Sequence, residues 1–593
     1  MAGYADADRG FERVRVISGV ILALAGMIAV PAAAQSTLAA SASAFASNFA
    51  PQLGPNARAR YKDIFVAIRA GQWDAAQAGL DSMPEGPLHA VARAELYLAK
   101  GSPKVEAEKI ADLLEKAPYL PQATQLVRLA KSRGMDVQFS LPAAQELFWL
   151  GSAPRRARMA ATQDGVAAAI NARIQPLIKD NMPFEAEAIV MESEASLSPE
   201  GRSELMQKVA WSYYIVGDDA SAQRVATLGQ AGYGNWAAMS DWTVGLAAWR
   251  SRDYVGAAAA FESAAARFQD DEMDAAPPFW AARAAMAAGQ PQKVDGHLKS
   301  AARYGETFYG LLSAERLGIE KSIQKVPDDI ADVEKLPNVR AALALAEIGE
   351  MDLADAMIRH QARIGDPRRH AALAALAGRM DMPATQLWLA HNGPAGARAP
   401  AAARYPMPRT WTPEGGWRVD KALVYAHALQ ESNFRTSVVS RAGARGLMQV
   451  MPGTAAMMAR AKGKDTVGSL NDPATNMEYG QSFIERLRDM QATGGMLPKV
   501  IAAYNAGPLP LETWNQRSRD NSDPLLYIES IPYWETRAYV TIIMRNYWMY
   551  QMQAAEPTTS LAALAQGLWP RFPGLPGPTA VRMDRVSGVA SAD

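Results

Sequence analysis

The sequence predicts an all-α protein of two units, an N-terminal helical-repeat superhelix followed by a smaller helical domain. Three observations predict it. Alanine is very abundant and β-branched residues are sparse, which favours helix over strand. Trp211, Trp242 and Trp280 each open a similar stretch, 31 and 38 residues apart, the spacing of stacked helix–turn–helix repeats. At 593 residues the chain exceeds one domain of roughly 100–200 residues. Composition also excludes several functions. Lys+Arg and Asp+Glu are both 61, and this balance argues against a dedicated nucleic-acid binder. A hydrophobic content of 49% rules out wholesale disorder. Cysteine is absent, which removes disulfide scaffolds, zinc-thiolate sites and thiol nucleophiles. The six histidines are too scattered for a metal cluster, so no metal and no cofactor are expected.

The elements follow in chain order. Arg9, Arg13 and Arg15 precede an apolar run from Val16 to Val30, and Pro31 and Ala32-Ala33-Ala34 follow it. This is the pattern of a secretory signal, so residues 1–34 are expected to be a signal peptide cleaved after Ala34. An uncleaved anchor is the alternative, and either places the bulk of the protein outside the cytoplasm. Residues 35–400 read as the superhelix. Trp211 leads to Gly217-Asp218-Asp219 and then a helix. Trp242 leads to Arg252-Asp253-Tyr254, and Trp280 to Gly289-Gln290-Pro291. Gly71-Gln72-Trp73-Asp74 is a degenerate copy. A single helix pair cannot bury its apolar face, so neighbours must stack. The three tryptophans are expected to be core wedges between helices. His391 to Trp417 is rich in Pro and Gly, where helix cannot persist, and a domain junction is expected there. Residues 401–555 form the second domain. Residues 556–593 are expected to be a flexible Pro/Gly-rich tail.

Chemistry concentrates in the second domain. Arg418 to Phe434 reads as one helix with Val424, Ala428 and Glu431 on one stripe, so Glu431 ends it beside an apolar face. A Gly-bearing loop, Ser440 to Gly446, leads into Leu447-Met448-Gln449-Val450-Met451-Pro452. Ala503-Tyr504-Asn505-Ala506-Gly507-Pro508 places an aromatic and an amide at a helix end, and Glu535-Thr536-Arg537-Ala538-Tyr539-Val540 opens a last aromatic helix. The segment has no nucleophile–histidine pair, metal-ligand spacing or phosphate loop. His427, its one histidine, reads as a packing residue. What remains is a carboxyl group among apolar, amide and tyrosine side chains, the requirement for general acid catalysis on a glycosidic oxygen. Glutamate starts near pKa ~4.3 and must rise to about 6, a shift that burial against Met448, Met451 and Tyr504 can impose. A two-carboxylate glycosidase needs a partner within about 5–9.5 Å. Asp472, Glu478 and Glu535 remain open for that role from sequence alone.

These four motifs, in this order, resemble the signature motifs of the soluble lytic transglycosylases. The resemblance covers residues 411–552 closely. It extends weakly upstream to Thr307-Phe308-Tyr309-Gly310 and Ala314-Glu315-Arg316-Leu317-Gly318, which look like the end of that family's superhelix. It implies a lysozyme-like catalytic domain cleaving the β-1,4 bond between N-acetylmuramic acid and N-acetylglucosamine in peptidoglycan. Cleavage would proceed without water and leave 1,6-anhydro ends, with Glu431 as single acid and base. It further implies that Ser440, Met448, Gln449, Met451, Tyr504 and Asn505 line the sugar groove, Met448 reading also as core. Glu535 and Tyr539 would sit near the cleft, with Glu535 alternatively paired to Arg537 or Arg545. Expected partners are peptidoglycan glycan strands, and wall-synthesis or envelope-assembly proteins docking on the superhelix. The expected location is the periplasm. Residues 401–555 carry 17 Lys/Arg against 13 Asp/Glu, a mild bias towards an acidic polymer. Two alternatives stay open: a hydrolytic muramidase on the same fold, and a helical scaffold that binds glycan without cutting it.

Overall fold

The computed structural model describes residues 49–583, apart from residues 136 and 518 and the side chain of residue 271, and the backbone of 590–591. The expected signal peptide lies outside the described residues. Among the described residues there are 27 α-helices and five short strands, so the protein is all-α as composition predicts. None of these helices is long and apolar enough to cross a membrane.

The superhelix is built from capped helix pairs. Helix α1 (Pro199–Val216) starts where Ser198 Oγ accepts from Gly201 N at 3.0 Å, and stops at Gly217, whose φ of 91° suits glycine. Asp218 and Asp253 cap the helices that follow α1 and α2 (Gly234–Arg250). Helix α3 (Asp271–Ala287) carries Trp280. Trp242 and Trp280 are fully buried and meet edge to face at 6.3 Å, the wedges expected of them. Trp211 is only half-buried and stacks on Tyr214.

Packing does not follow the composition break. One core joins residues of the 167–323 helices to residues of the 402–581 segment. A second joins residues 49–130 to residues 330–403. The first helices therefore pack on the last part of the array. Arg58 pairs with Glu347 at 2.8 Å, and Asn338 Nδ2 donates to Tyr119 O at 2.8 Å. Strand β1 (Leu147–Trp149) pairs antiparallel with β2 (Asn392–Pro394), inside the Pro/Gly-rich stretch.

Helix α4 (Phe308–Arg316), capped by Thr307, carries the superhelix onto the second domain. That domain contains α5 (Lys421–Ser432), α6 (Pro473–Arg488), α7 (Leu497–Ala506) and α8 (Trp534–Gln553). Phe308 stacks on Trp548 of α8 at 5.2 Å. Between them Arg156 and Glu529 form a buried bidentate pair, with Nη–Oε distances of 2.8 and 2.9 Å, and Tyr309 donates to Glu529 at 2.6 Å.

The expected tail is corrected. Residues 556–583 are folded: α9 (Thr559–Ala565) is followed by β3 (Trp569–Pro570), which pairs with β4 (Ala580–Met583). Trp569, Phe572 and Val581 are buried, and Trp569 Nε1 donates to Ser522 O at 2.8 Å. Proline and glycine stop helices, but three apolar anchors suffice to hold an irregular segment down, and average composition conceals them.

Candidate active site

Glu431 sits on the last turn of α5. Asp420 caps this helix through Ala422 N at 2.9 Å and is itself bound by Tyr547 of α8 at 2.6 Å. The helix ends abruptly because Asn433 and Phe434 adopt φ of 51° and 60°. The carboxyl is half-buried, and Tyr539 Oη donates to its Oε1 at 2.6 Å. Burial raises its pKa, the Tyr539 bond lowers it and the nearby Glu535 charge raises it, leaving it at about 7. That value keeps about half the molecules protonated at neutral pH, as a general acid needs.

His427 lies one turn earlier on α5, buried, with Nδ1 at 2.8 Å from Tyr539 Oη. Burial lowers its pKa to about 3, so it is neutral. When Tyr539 donates its single proton to Glu431, His427 must donate from Nδ1–H to the tyrosine oxygen. This leaves Oε2 as the Glu431 oxygen free to carry a transferable proton. The His427 ring packs against Tyr504 at 4.5 Å. The i, i+4 spacing of His427 and Glu431 was visible in the sequence, but the tyrosine linking them comes from 112 residues away.

The remaining expected residues separate into two groups. Tyr504 of α7 comes to the acid, since the Glu431 charge adds to burial in raising its pKa well above the usual value. Its hydroxyl donates to Met448 O at 2.8 Å. Gln449, at φ 48°, donates from Nε2 to Gly446 O and Val438 O, while its Oε1 is buried without a partner. Met451 is 42% exposed at the cap of the following helix. Glu535 is exposed on the first turn of α8. It forms neither proposed pair: Arg537 lies over Trp211, and Arg545 bonds Pro154 O and Asn546. The hydroxyl of Ser440 accepts from Ala444 N at 3.0 Å and so holds its own turn. Asn505 accepts from Thr536 at 2.6 Å, tying α7 to α8. Met448 as a groove residue is corrected. Its side chain is 0% exposed and packs against Gly480 in the core, so only its backbone oxygen reaches Tyr504.

Two open carboxylates are otherwise engaged. Asp472 caps α6 through Thr475 N at 2.8 Å. Glu478 is buried, which raises its pKa, but Arg418 and Lys462 hold it down at about 2. Sequence reasoning missed Asn476, fully buried on α6. It accepts from Met448 N at 2.9 Å and donates to Arg445 O and Leu470 O at 2.8 Å, fixing the Gly446–Gln449 loop. Gly446 has φ 72°, and a Cβ there would fall on Leu470 O and Asn476 Nδ2. Gly446→Ala is expected to destabilise by roughly 3 kcal/mol, combining left-handed strain with overpacking. A denaturant midpoint equal to wild type would refute that placement.

Fold and site together define a superhelical all-α protein whose second domain presents a protonatable glutamate held by a tyrosine. Residues 412–526 match the family model described as Transglycosylase SLT domain. The soluble lytic murein transglycosylase of Escherichia coli (strain K12) is 36% identical over 155 residues, 26% of this chain and 24% of that protein. The chain thus aligns with about a quarter of the length of the curated relatives it matches first. The crystal structure of the 70 kDa soluble lytic transglycosylase of Escherichia coli superposes with a TM-score of 0.53 at 18% identity, covering 87% of this chain and 99% of that one. An inactive glutamate-to-glutamine mutant of the lytic transglycosylase Slt from Pseudomonas aeruginosa superposes with a TM-score of 0.51 at 20% identity, covering 84% and 73%. These two likenesses establish the shared fold along most of the chain. The family resemblance is supported over residues 412–526, which hold the first three of the four motifs.

Proposed function

We propose that the protein is a peptidoglycan lytic transglycosylase with Glu431 as its single acid and base. The observation that carries this reading is the Glu431 carboxyl, poised near pKa 7 with one oxygen engaged by Tyr539 and the other free. Glu431 gives its proton to the leaving glycosidic oxygen as the C1–O4 bond breaks. It then takes the proton of the muramyl C6 hydroxyl as the C1–O6 bond forms, so no water is consumed and the 1,6-anhydro ring results. The neutral pair of Tyr539 and His427 keeps the carboxylate oriented between the two steps. Tyr504 and Gln449 line the groove, the Gln449 Oε1 being buried and unpartnered, and Met451 offers an apolar edge. Export by residues 1–34 puts the enzyme in the periplasm, and the superhelix offers a surface to wall-assembly proteins. Residues 35–400, 401–555 and 556–583 act as superhelix, catalytic domain and a closing segment.

The test is mass spectrometry of products from purified peptidoglycan. Anhydro-muropeptides are expected. Reducing-end products would replace this reading with a muramidase using Glu535 as its second carboxylate, the one candidate that acts on the titration of Glu431.

The pH profile provides a second check. A raised carboxyl pKa keeps the acid protonated up to about 7, so turnover should hold below that and fall about tenfold per pH unit above it. Glu535→Gln removes a charge that raises this pKa, so the alkaline limb should move to lower pH. A profile centred near the ordinary carboxyl value, or one that Glu535→Gln leaves in place, would contradict the assignment.

A further inference from the structure

A second concavity lies on the other side of α8 from Glu431. Its volume is about 660 Å³, within the range of small-ligand sites, and it sits where the superhelix meets the start of α8. Trp211, Trp236 and Trp534 line it with Arg158, Lys208 and Arg537, and no carboxylate lines it. Helix geometry separates it from the cleft. Trp534 and Arg537 are three residues apart and share one face of α8, while Glu535 and Tyr539, four apart, share a roughly opposite face towards Glu431.

Arg537 marks the cavity as a built site. It is 2% exposed, and its guanidinium carbon lies 4.1 Å from the centroid of the Trp211 ring. Nε donates to Ile531 O at 3.2 Å, and the two Nη nitrogens have no acceptor among the described residues. A buried guanidinium with an unused pair of donors is matched by a carboxylate, which accepts both in parallel. The Lys208 ammonium is already neutralised by Glu204 at 2.5 Å and rests 5.1 Å over Trp236. Arg158 is exposed at the rim, with no ion-pair partner among the described residues. The cavity therefore offers the exposed Arg158 cation, the Arg537 guanidinium with two unused Nη donors although the Glu529 charge acts on it, three indole rings, and the amides of Asn171 and Gln175.

We propose that this cavity is a second binding site, for a carboxylate carried on a muropeptide, and that it holds a stretch of strand other than the one being cut. The proposal rests on the function given above. A strand tethered there raises the local concentration of its neighbouring bonds at Glu431 without any new contact in the cleft. The carboxylate has two sources in such a polymer, the lactyl group of muramic acid and the peptide.

The test is calorimetric titration of full-length Glu431→Gln protein, which binds without cutting. Three probes separate the sources: N-acetylglucosaminyl-N-acetylmuramic acid, the same disaccharide with an alanyl-glutamate peptide amidating its lactyl group, and neutral chitobiose. At least one acidic probe should occupy two sites per chain and chitobiose one, and the acidic probe that does so names the source. Arg158→Glu added to this background should weaken the second event by about tenfold or more. Arg537→Gln should abolish it, and Arg158→Glu, being at the exposed rim, covers the case in which that buried change unfolds the chain. One site per chain with every probe, two sites with chitobiose, or a second event indifferent to Arg158→Glu would overturn the proposal. Product analysis separates this from the function itself. Anhydro products together with one-site binding would sink the second site alone, and two-site binding without anhydro products would sink the catalytic reading alone.

Discussion

Glu431→Gln is expected to lower turnover by at least about a thousandfold, or about 4 kcal/mol of barrier, while the fold stays intact. The size follows from the double duty proposed for this one group. Glutamine has the same shape but cannot give a proton to the glycosidic oxygen or take one from the C6 hydroxyl, so both steps fail. Stability should change little. The amide oxygen still accepts from Tyr539 Oη, now 2.6 Å from Oε1, and the change removes a carboxyl whose ionised form burial disfavours. The measurement is product release from peptidoglycan alongside a melting curve. A mutant that still cuts within tenfold of wild type would exclude Glu431 as the acid, and one that fails to fold would leave the loss unassigned to chemistry, which Tyr539→Phe kinetics would then decide.

Arg156→Met is expected to destabilise the protein by about 3–5 kcal/mol. Arg156 and Glu529 are 3% and 0% exposed at their side chains, and the pair joins the superhelix to the catalytic domain. Removing the arginine leaves a fully buried carboxylate with only the Tyr309 hydroxyl and the Arg537 charge to offset its burial. Burial pushes the Glu529 carboxyl up, but Arg156, the Arg537 charge and the Tyr309 hydroxyl hold it below its usual value. The pair therefore stabilises at neutral pH, and that contribution is lost as pH falls through the carboxylate range. Pairing Arg156→Met with Glu529→Leu should recover most of the loss, because two apolar side chains remove the stranded charge. Equal melting of the single mutant and wild type would show that the contact is incidental. The same interface changes what truncation should do. A chain beginning near residue 400 loses Arg156, Tyr309 and the Phe308 face that Trp548 packs against, so the catalytic segment is not expected to fold well alone.

Most of the site was legible because its parts are local. Glu431 ends an amphipathic helix, and Tyr504 sits beside a Gly-Pro helix stop. Both signals come from spacing within one turn or loop. Met448 was misplaced because an apolar side chain in a motif gives no sign of which way it points, and here Gly480 opens room for it in the core. Asn476 went unseen because a buried amide that bonds three backbone groups looks, in sequence, like any helical asparagine. Trp211 resembled Trp242 and Trp280 in its repeat position, yet it is half-buried and lines the cavity beside Arg537 of α8, while the other two are fully buried.

The sequence by itself determined the helical class, the repeat array, and the place of the candidate site with the buried-edge glutamate proposed as its acid. These depend on periodicity, capping and composition, which act over a few residues. Only the tertiary structure decided that the two units share a core, that the C-terminal segment folds back, and that His427, Tyr539 and Glu431 form one hydrogen-bonded chain. These join residues from 47 positions apart, as Trp569 and Ser522, to more than a hundred, as in the Glu431 chain. Such contacts depend on where whole helices come to rest, and that is set by the sum of buried surface over the molecule.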